Sequence, residues 1–265
     1  MGAVAGDRGA VAGDRGAARH ATARQMIRCE NTASVDDISL SLAAVLESAA
    51  RLQQVVPDAV LVGDSAAAWH AGHRDSFDHD HVLPDLAERF DLVLEAIEST
   101  DRWVTNRVTP GRIILGELGD IEAGVRQMTR RRPLETERVT LPSGRTLIVP
   151  TLDETLRVKA FLIVQRHQTR DFLDVAALAD RMGLDRAARV LAAIDAYYRD
   201  QRGEGDGVAT QVARPLAEPR PRDARTTREL DRYSRLDARW HDWKAVVAVC
   251  RALADRMLTP GMDTP

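Results

Sequence analysis

Residues 61–82 read LVGDSAAAWHAGHRDSFDHDHV. Its apolar start is typical of a buried strand, and Gly63 before an alanine-rich segment predicts a tight turn into a short helix. Residues 77–83 predict a second strand, on which Asp78 and Asp80 lie two positions apart. Because alternate side chains of a strand project to the same face, both carboxylates are expected to point the same way.

Two carboxylates beside a glycine turn are suited to a divalent cation and the phosphates that it neutralises. The backbone N–H groups that follow Gly63 at the helix start can bind phosphate, and the Ser65 hydroxyl can add a contact. An acid at Asp64 would repel phosphate, so we interpret Asp64 as a helix cap. These residues favour nucleotidyl transfer from a nucleoside triphosphate. The simpler alternatives are a solvated edge strand for the acid pair and a plain tight turn at Gly63.

A third carboxylate usually completes a phosphoryl-transfer site that holds two metal ions. We expect it on a neighbouring strand, where Glu117, Asp120 and Glu122 are the candidates. Because a strand position is more rigid than the turn that contains Asp120, we favour Glu122.

Four histidines close to the acid pair predict a competing site, in which a zinc or manganese hydrolase would use a His/Asp cluster. His79 and His81 are expected on the strand face opposite to the acid pair, which disfavours a joint site. The four histidines are His70, His73, His79 and His81.

Composition excludes several classes of protein. Of the 265 residues, 44% are hydrophobic, which is enough for a core. The formal net charge of −3 shows no basic excess of the kind that is typical of nucleic-acid binding. The two cysteines, Cys29 and Cys250, form neither a disulfide framework nor a zinc-ligand set, which is typical of a reducing cytosol. No apolar run approaches the ~18 residues that span a bilayer, and no signal peptide is evident. We therefore predict a cytoplasmic protein that contacts no membrane.

The order of predicted elements is helix, strand, helix, strand, helix and then several strands, with hairpin turns at Gly119-Asp120 and Pro142-Ser143-Gly144. This order favours an α+β fold, a mixed β-sheet flanked by helices, over a purely parallel sheet. The heptad GAVAGDR occurs twice, at 2–8 and 9–15, and predicts disorder there. The predicted parts are a disordered leader 1–32, a core 33–150, a helical part 151–200 that completes the core, a linker or loop 201–226 and a helical tail 227–265.

The first predicted helix, 34–56, has Ser34 or Asp36 as its cap. Thr151 and Glu154 form a capping box that opens a later helix. If that helix continued through 165–169, four polar residues would form one stripe within about 80°, able to meet phosphates or to pair with strand aspartates. A solvated face is the alternative, and a break at 165–169 would remove the stripe. The four residues are Lys159, Arg166, Arg170 and Asp174.

Together these motifs resemble the nucleotidyltransferase AbiEii/AbiGii toxin family of the minimal nucleotidyltransferase superfamily, over about residues 56–182. The first family motif, an apolar strand, a small-residue turn, a helix and Arg-x-Ser-x-Asp-x-Asp, is matched by Gly63, Ser65, Arg74, Ser76, Asp78 and Asp80. The second, Thr-Leu, Lys, Arg and Arg-Asp-h-x-Asp, is matched by Thr151, Leu152, Lys159, Arg166, Arg170, Asp171 and Asp174.

The resemblance implies a nucleotidyltransferase-like sheet and a Mg²⁺-dependent reaction of the two-metal type. Asp78 and Asp80 would hold metal, and Glu122, favoured above for its strand position and not by the resemblance, is the expected third catalytic acid. Members that are toxins transfer nucleotides, in some cases to RNA, and often pair with an antitoxin, so an NTP, an RNA acceptor and an antitoxin protein are the expected partners. A catalytically weakened or inactive binding protein on the same scaffold is the alternative. The expected nucleotide-binding residues are Gly63, Ser65, Arg74, Lys159 and Arg166.

Overall fold

A computed structural model describes residues 38–201 and 205–259 of the chain. The predicted leader, 1–32, and the predicted helix caps Ser34 and Asp36 lie outside these ranges. The strands are β1 Val60–Val62, β2 Asp78–Leu83, β3 Trp103–Thr109, β4 Ile113–Leu118, β5 Ile121–Gln127, β6 Thr136–Thr140 and β7 Thr146–Pro150. The α-helices are α1 Leu40–Val55, α2 Gly63–Ala71, α3 Phe90–Glu98, α4 Leu152–Arg166, α5 Thr169–Met182, α6 Leu184–Ala192, α7 Val208–Ala217 and α8 Trp243–Leu258.

Five strands form a mixed sheet in the order β1-β2-β5-β4-β3, and β6 pairs with β7 as a separate antiparallel ribbon. Strands β2 and β5 are parallel, whereas the other neighbours in the sheet are antiparallel. The β4–β5 hairpin turns at Gly119, whose φ of +71° is one that glycine adopts without strain. The predicted mixed sheet with flanking helices is confirmed.

One face of the sheet is covered by helices and buries the apolar side chains of β2, β4 and β5. Val125, Ile114 and Leu83 on this face are fully buried and contact α1 and α3. Removing each such side chain from water stabilises the fold by about 1.5–3 kcal/mol. The opposite face carries Asp78 and Asp80 and is therefore the face left for function.

Helix α1 begins later than the sequence pattern suggests. Its cap is Ser39, whose side chain accepts a hydrogen bond from the backbone N–H of Leu42. Leu42 and Leu46, four residues apart, belong to its buried stripe, whereas Leu40 is 91% exposed.

Of the two alternatives at 165–169, the structure has the break, so Lys159, Arg166, Arg170 and Asp174 do not form one helical stripe. Helix α4 ends at Arg166, and His167 has a left-handed backbone with φ of +51°. Thr169 starts α5, where its N–H and its hydroxyl both donate to Asp223 Oδ1. This contact with a segment distant in sequence holds the break, which helix periodicity alone does not reveal.

The segment predicted as a linker or loop, 201–226, contains helix α7. Val208, Val212 and Leu216 recur every four residues and are buried against the other C-terminal helices. The tail forms short 3₁₀ turns before α8, and Trp240 in one of them is buried. Among the described residues, no helix has the length and apolarity that a bilayer crossing requires.

Candidate functional site

A cleft of about 480 Å³ opens between the acidic face of β2 and β5 and helix α4. Gly63 lies at its floor, and an apolar wall is formed by residues that include Leu134, Val158 and Leu162. Its charged lining consists of Asp64, Asp78, Asp80, Arg126, Arg130, Arg166 and Arg170. The cleft therefore combines carboxylates that can bind a cation with guanidinium groups that can bind phosphate.

The acid pair projects into this cleft, as the strand pattern predicts. Asp78 and Asp80 are partly exposed, whereas His79 and His81 on the other face of β2 are buried. Ser76 Oγ donates to Asp78 Oδ1 at 3.0 Å, and Arg126 Nε donates to Asp80 Oδ1 at 3.1 Å. These contacts engage one oxygen of each carboxylate and not the Oδ2 atoms.

Gly63 brings the first turn of α2 against the acid pair. Its φ of +78° is strained for any residue with a side chain. A Cβ atom at this position would lie 3.7 Å from Asp80 Cβ and 3.9 Å from Asp80 Oδ2. The carboxylate of Asp80 is thus adjacent to a helix N-terminus, where backbone N–H groups attract anionic ligands.

Glu122 lies beside Asp78 in the sheet but does not complete a three-acid metal centre. The two residues are partners in the parallel β2–β5 register and therefore share a face. Glu122 is exposed and lines a second cavity, of about 250 Å³, together with both acids of the pair. Over residues 38–201 and 205–259, no three His, Cys, Asp or Glu residues gather where they could hold a metal ion. Of the other candidates, Asp120 is at the exposed hairpin turn and Glu117 accepts from Asn106 Nδ2.

Asp64, at the lining of the cleft, joins a network of ion pairs with the buried residues Asp174, Lys159 and Arg74. Lys159 is fully buried and its Nζ lies 2.5 Å from Asp64 Oδ1 and 2.6 Å from Asp174 Oδ2. Arg74 makes a bidentate pair with Asp174, through Nε at 2.9 Å and Nη2 at 3.0 Å, and a third contact with Asp64. His73 Nε2 lies 2.7 Å from Asp174 Oδ1. The interpretation of Asp64 as a helix cap is wrong, because its carboxylate pairs with cations and makes no capping bond in α2.

The charges of this network hold one another ionised. Burial by itself would raise the pKa of Asp174, but Arg74 and Lys159 outweigh it and hold that pKa well below its ordinary value. Asp64 follows the same pattern, with its pKa lowered by Lys159 and Arg74 against the effect of burial. Burial would lower the pKa of Lys159, yet the two carboxylates raise it. Lys159 and Arg74 therefore stay charged without a bound nucleotide.

The five predicted nucleotide-binding residues divide into two groups. Gly63 and Arg166 line the cleft, and Arg166 forms a bidentate pair with Asp171, with both distances 2.7 Å. Ser65, Arg74 and Lys159 are buried below it. The hydroxyl of Ser65 donates to the backbone carbonyl of Asp78, so this serine fixes the strand that bears the acid pair.

Sequence reasoning missed the cation and the aromatic pair on the cleft wall. Arg130 is 4% exposed, and its Nη2 lies 2.5 Å from the buried Glu154 Oε1. The guanidinium also lies 4.9 Å from the ring centroid of Tyr198, which stacks on Phe161 with centroids 4.2 Å apart. A run of three arginines gives little sign that one is buried. The burial of its partner, Glu154, is settled only by packing.

The predicted histidine-based hydrolase site is wrong. His70 Nε2 bonds to the carbonyl of Pro150 at 2.7 Å, His79 Nε2 lies 3.1 Å from Ser48 Oγ, and His73 contacts Asp174. Burial lowers the pKa of His70 to about 4 and, with Arg51, that of His79 to about 3, so both rings are neutral. Each of these three histidines thus has its own partner in the core, where the sheet face and helix packing place it.

The fold is that of nucleotidyltransferase-like proteins. A solved structure of MenT4, a nucleotidyltransferase toxin from Mycobacterium tuberculosis H37Rv, is similar with a TM-score of 0.53 and 20% sequence identity, over 84% of each chain. At this identity the likeness shows the fold alone. No protein-family model matches the chain, so membership of the AbiEii/AbiGii family stays a prediction.

Sequence similarity links the chain to part of a longer mycobacterial protein. It is 31% identical over 245 residues to the heme uptake protein MmpL11 of Mycobacterium tuberculosis, which covers 83% of this chain. It is 32% identical over 229 residues to the mycolic acid-containing lipids exporter MmpL11 of Mycolicibacterium smegmatis, which covers 86% of this chain. The chain spans 23% of the length of either relative.

Proposed function

We propose that this protein transfers a nucleotidyl group from a nucleoside triphosphate to an acceptor hydroxyl, in a Mg²⁺-dependent reaction at the cleft between β2 and α4. The observation that carries the proposal is the joint projection of Asp78 and Asp80 into a cleft bordered by a helix N-terminus and four arginines. The nucleotidyltransferase-like fold supports it.

The donor set of the cleft fits magnesium bound together with a nucleotide. Mg²⁺ is usually held by one or two carboxylates and the phosphates of the substrate rather than by a complete protein cage. Asp78 and Asp80 supply two carboxylates on one face, and their Oδ2 atoms are outside the contacts with Ser76 and Arg126. When bound, the ion would neutralise phosphate charge and favour ionisation of the acceptor hydroxyl.

The lining of the rest of the cleft suits a nucleotide. Its phosphates would lie near the N–H groups that follow Gly63, where Arg166 and Arg170 of the same lining could pair with them. The base lies against the wall that contains the stacked Phe161 and Tyr198. In the reaction the acceptor oxygen bonds to the α-phosphorus, the bond from that phosphorus to the bridging oxygen breaks, and pyrophosphate leaves.

The acceptor approaches from the second cavity. Asp78 and Asp80 line both cavities, so a group in the second one reaches the α-phosphorus beside the same acids. Glu122 lies in this cavity next to Asp78 and is placed to accept the proton of the acceptor hydroxyl. Catalysis would consist of positioning and charge stabilisation, the usual means of phosphoryl-transfer enzymes.

The proposal extends to the substrates and partners that the motifs imply. The RNA acceptor rests on the AbiEii/AbiGii-like motifs alone, and the likeness to a nucleotidyltransferase toxin supports a cognate antitoxin protein by analogy of fold. A cytoplasmic location is part of the same proposal and rests on cysteine usage.

A binding module without turnover is the second candidate function. Two observations favour it: Lys159 is neutralised by Asp64 within a buried network, and the chain resembles a quarter or less of a transport protein. Such a module would bind a nucleotide without catalysing a reaction.

Incubation with labelled NTPs, Mg²⁺ and total RNA tests the proposal. We expect label transfer by the wild type and at least a hundred-fold loss, which is about 3 kcal/mol in the barrier, in Asp78→Asn and in Asp80→Asn. Asp91→Asn, an exposed acid on α3, is the matched control and should transfer label normally. Nucleotide binding that needs no Mg²⁺, with no label transfer by the wild type, would establish the binding module instead.

A further inference from the structure

The strand beside the acid pair carries a cation where a two-metal site needs a third acid. Side chains 122, 124 and 126 of β5 share a face with Asp78 and Asp80, because the two strands are parallel and in register. Asp80 is opposite Gly124, and the next residue on this face is Arg126. The acidic face of β5 therefore begins with Glu122 and ends with an arginine.

Gly124 leaves no room for an acid at the level of Asp80. A Cβ atom there would lie 2.4 Å from Asp80 Oδ1 and 3.0 Å from Leu115 Cδ2, closer than ordinary contacts allow. Any side chain at 124 would therefore displace the Asp80 carboxylate. Because the Asp80 carboxylate packs directly on the backbone of Gly124, position 124 cannot carry an acidic side chain.

Arg126 differs from the other arginines of the cleft in its partner. Arg166 pairs with Asp171, Arg130 with Glu154 and Arg170 with Asp64. Arg126 instead donates through Nε to Asp80 Oδ1, a member of the acid pair itself. Its side chain is 43% exposed and lines both cavities, so it reaches the boundary where the α-phosphate would lie.

A guanidinium group can stand in for a metal ion at such a boundary. It is permanently charged, and its five N–H donors form a planar fork that matches phosphate oxygens. With Nε bound to Asp80, the two terminal nitrogens of Arg126 are placed to donate to a phosphate. A fixed cation of this kind stabilises charge as it develops during the reaction and needs no carboxylate ligands.

We propose that Arg126 supplies the second positive charge of the site, so that the loaded protein holds one divalent cation, at Asp78 and Asp80, and not two. The inference rests on the proposed function and replaces its expected two-metal centre with one metal ion and one arginine. Arg126 bridges Asp80 and a phosphate of the bound nucleotide.

Counting bound Mn²⁺ by electron paramagnetic resonance, in the presence of a non-hydrolysable NTP analogue, tests the inference without a catalytic readout. We expect one Mn²⁺ per wild-type chain. Arg126→Gln should still bind one Mn²⁺ but bind the analogue at least about 10-fold more weakly, since a hydrogen bond to a charged group is lost. Arg126→Glu places a carboxylate beside Asp80 and should admit a second Mn²⁺.

Arg112→Gln, an exposed arginine at the β3–β4 turn outside the cleft lining, is the matched control and should change neither count nor affinity. Two Mn²⁺ ions in the wild type, both lost in Asp80→Asn, would overturn the inference and leave the proposed function standing. Unchanged analogue affinity in Arg126→Gln would overturn it as well. A wild type that binds neither Mn²⁺ nor the analogue would instead remove the proposed function.

Discussion

The aspartates of the cleft, Asp78 and Asp80, and the aspartate of the buried network, Asp174, have opposite surroundings. Asp78 and Asp80 are partly exposed in the cleft, where each has one protein partner through Oδ1. Asp174 is fully buried and is contacted by Lys159, Arg74 and His73. Asp78 and Asp80 keep oxygen atoms that a ligand can use, whereas both oxygen atoms of Asp174 are bound by protein side chains.

These surroundings distinguish acids that can bind a ligand from acids that hold the fold together. A buried carboxylate is tolerated because cations surround it, and removing one member leaves the others uncompensated. A carboxylate at the wall of a cleft pays little desolvation free energy, because water still reaches it, and a cation that binds there stabilises its charged form. The sequence motifs contain both Asp78 and Asp174 and do not distinguish their roles. In the structure Asp78 lines the cleft, whereas Asp174 is buried among cations.

The largest effect is expected from removing the buried carboxylate. Asp174→Asn should lower the free energy of unfolding by about 3–5 kcal/mol, because Arg74 and Lys159 lose their shared anion in a buried place. Asp80→Asn, in the half-exposed pair with Arg126, should change it by no more than about 1 kcal/mol. Urea denaturation of the three proteins measures both. Equal losses of unfolding free energy in the two variants would contradict the distinction between the buried Asp174 and the half-exposed Asp80.

Acid should weaken the buried network at a pH set by its carboxylates. The pKa values of Asp64 and Asp174 in the folded protein lie below the ordinary value of 3.8. Their stabilising contribution is therefore complete above that value and is lost as the pH falls towards the folded pKa values. The difference in unfolding free energy between wild type and Asp174→Asn should be constant above about pH 5 and shrink below about pH 4. A difference that already shrinks between pH 7 and pH 5 would show that other groups control it.

A smaller and more local effect is expected at the backbone beside the acid pair. Gly124→Ala should displace the Asp80 carboxylate and weaken Mn²⁺ binding about 10-fold, with a modest loss of stability. Gly205→Ala is the control, because a Cβ atom there meets nothing within 4 Å. Calorimetric titration of Mn²⁺ with an NTP analogue compares the two. Wild-type affinity in Gly124→Ala would mean that Asp80 can move without consequence for the site.

Much of the fold was predictable from local pattern. The alternation in β2 predicted that Asp78 and Asp80 share a face opposite to His79 and His81, and the turn at Gly119 predicted the β4–β5 hairpin. Where the structure differs from the local pattern, contacts between segments distant in sequence account for the difference. Asp223 holds the break between α4 and α5, and burial against the C-terminal helices makes α7 a helix.

Local sequence is sufficient to predict the strand-turn-helix around Gly63 and the shared face of Asp78 and Asp80, because these depend on backbone geometry and on the period of two along a strand. Only packing in three dimensions brings Lys159 and Arg74 to Asp64 and Asp174, and Arg126 to Asp80. Charged side chains choose partners by proximity in three dimensions and by burial, and neither quantity is written in the spacing of residues along one chain.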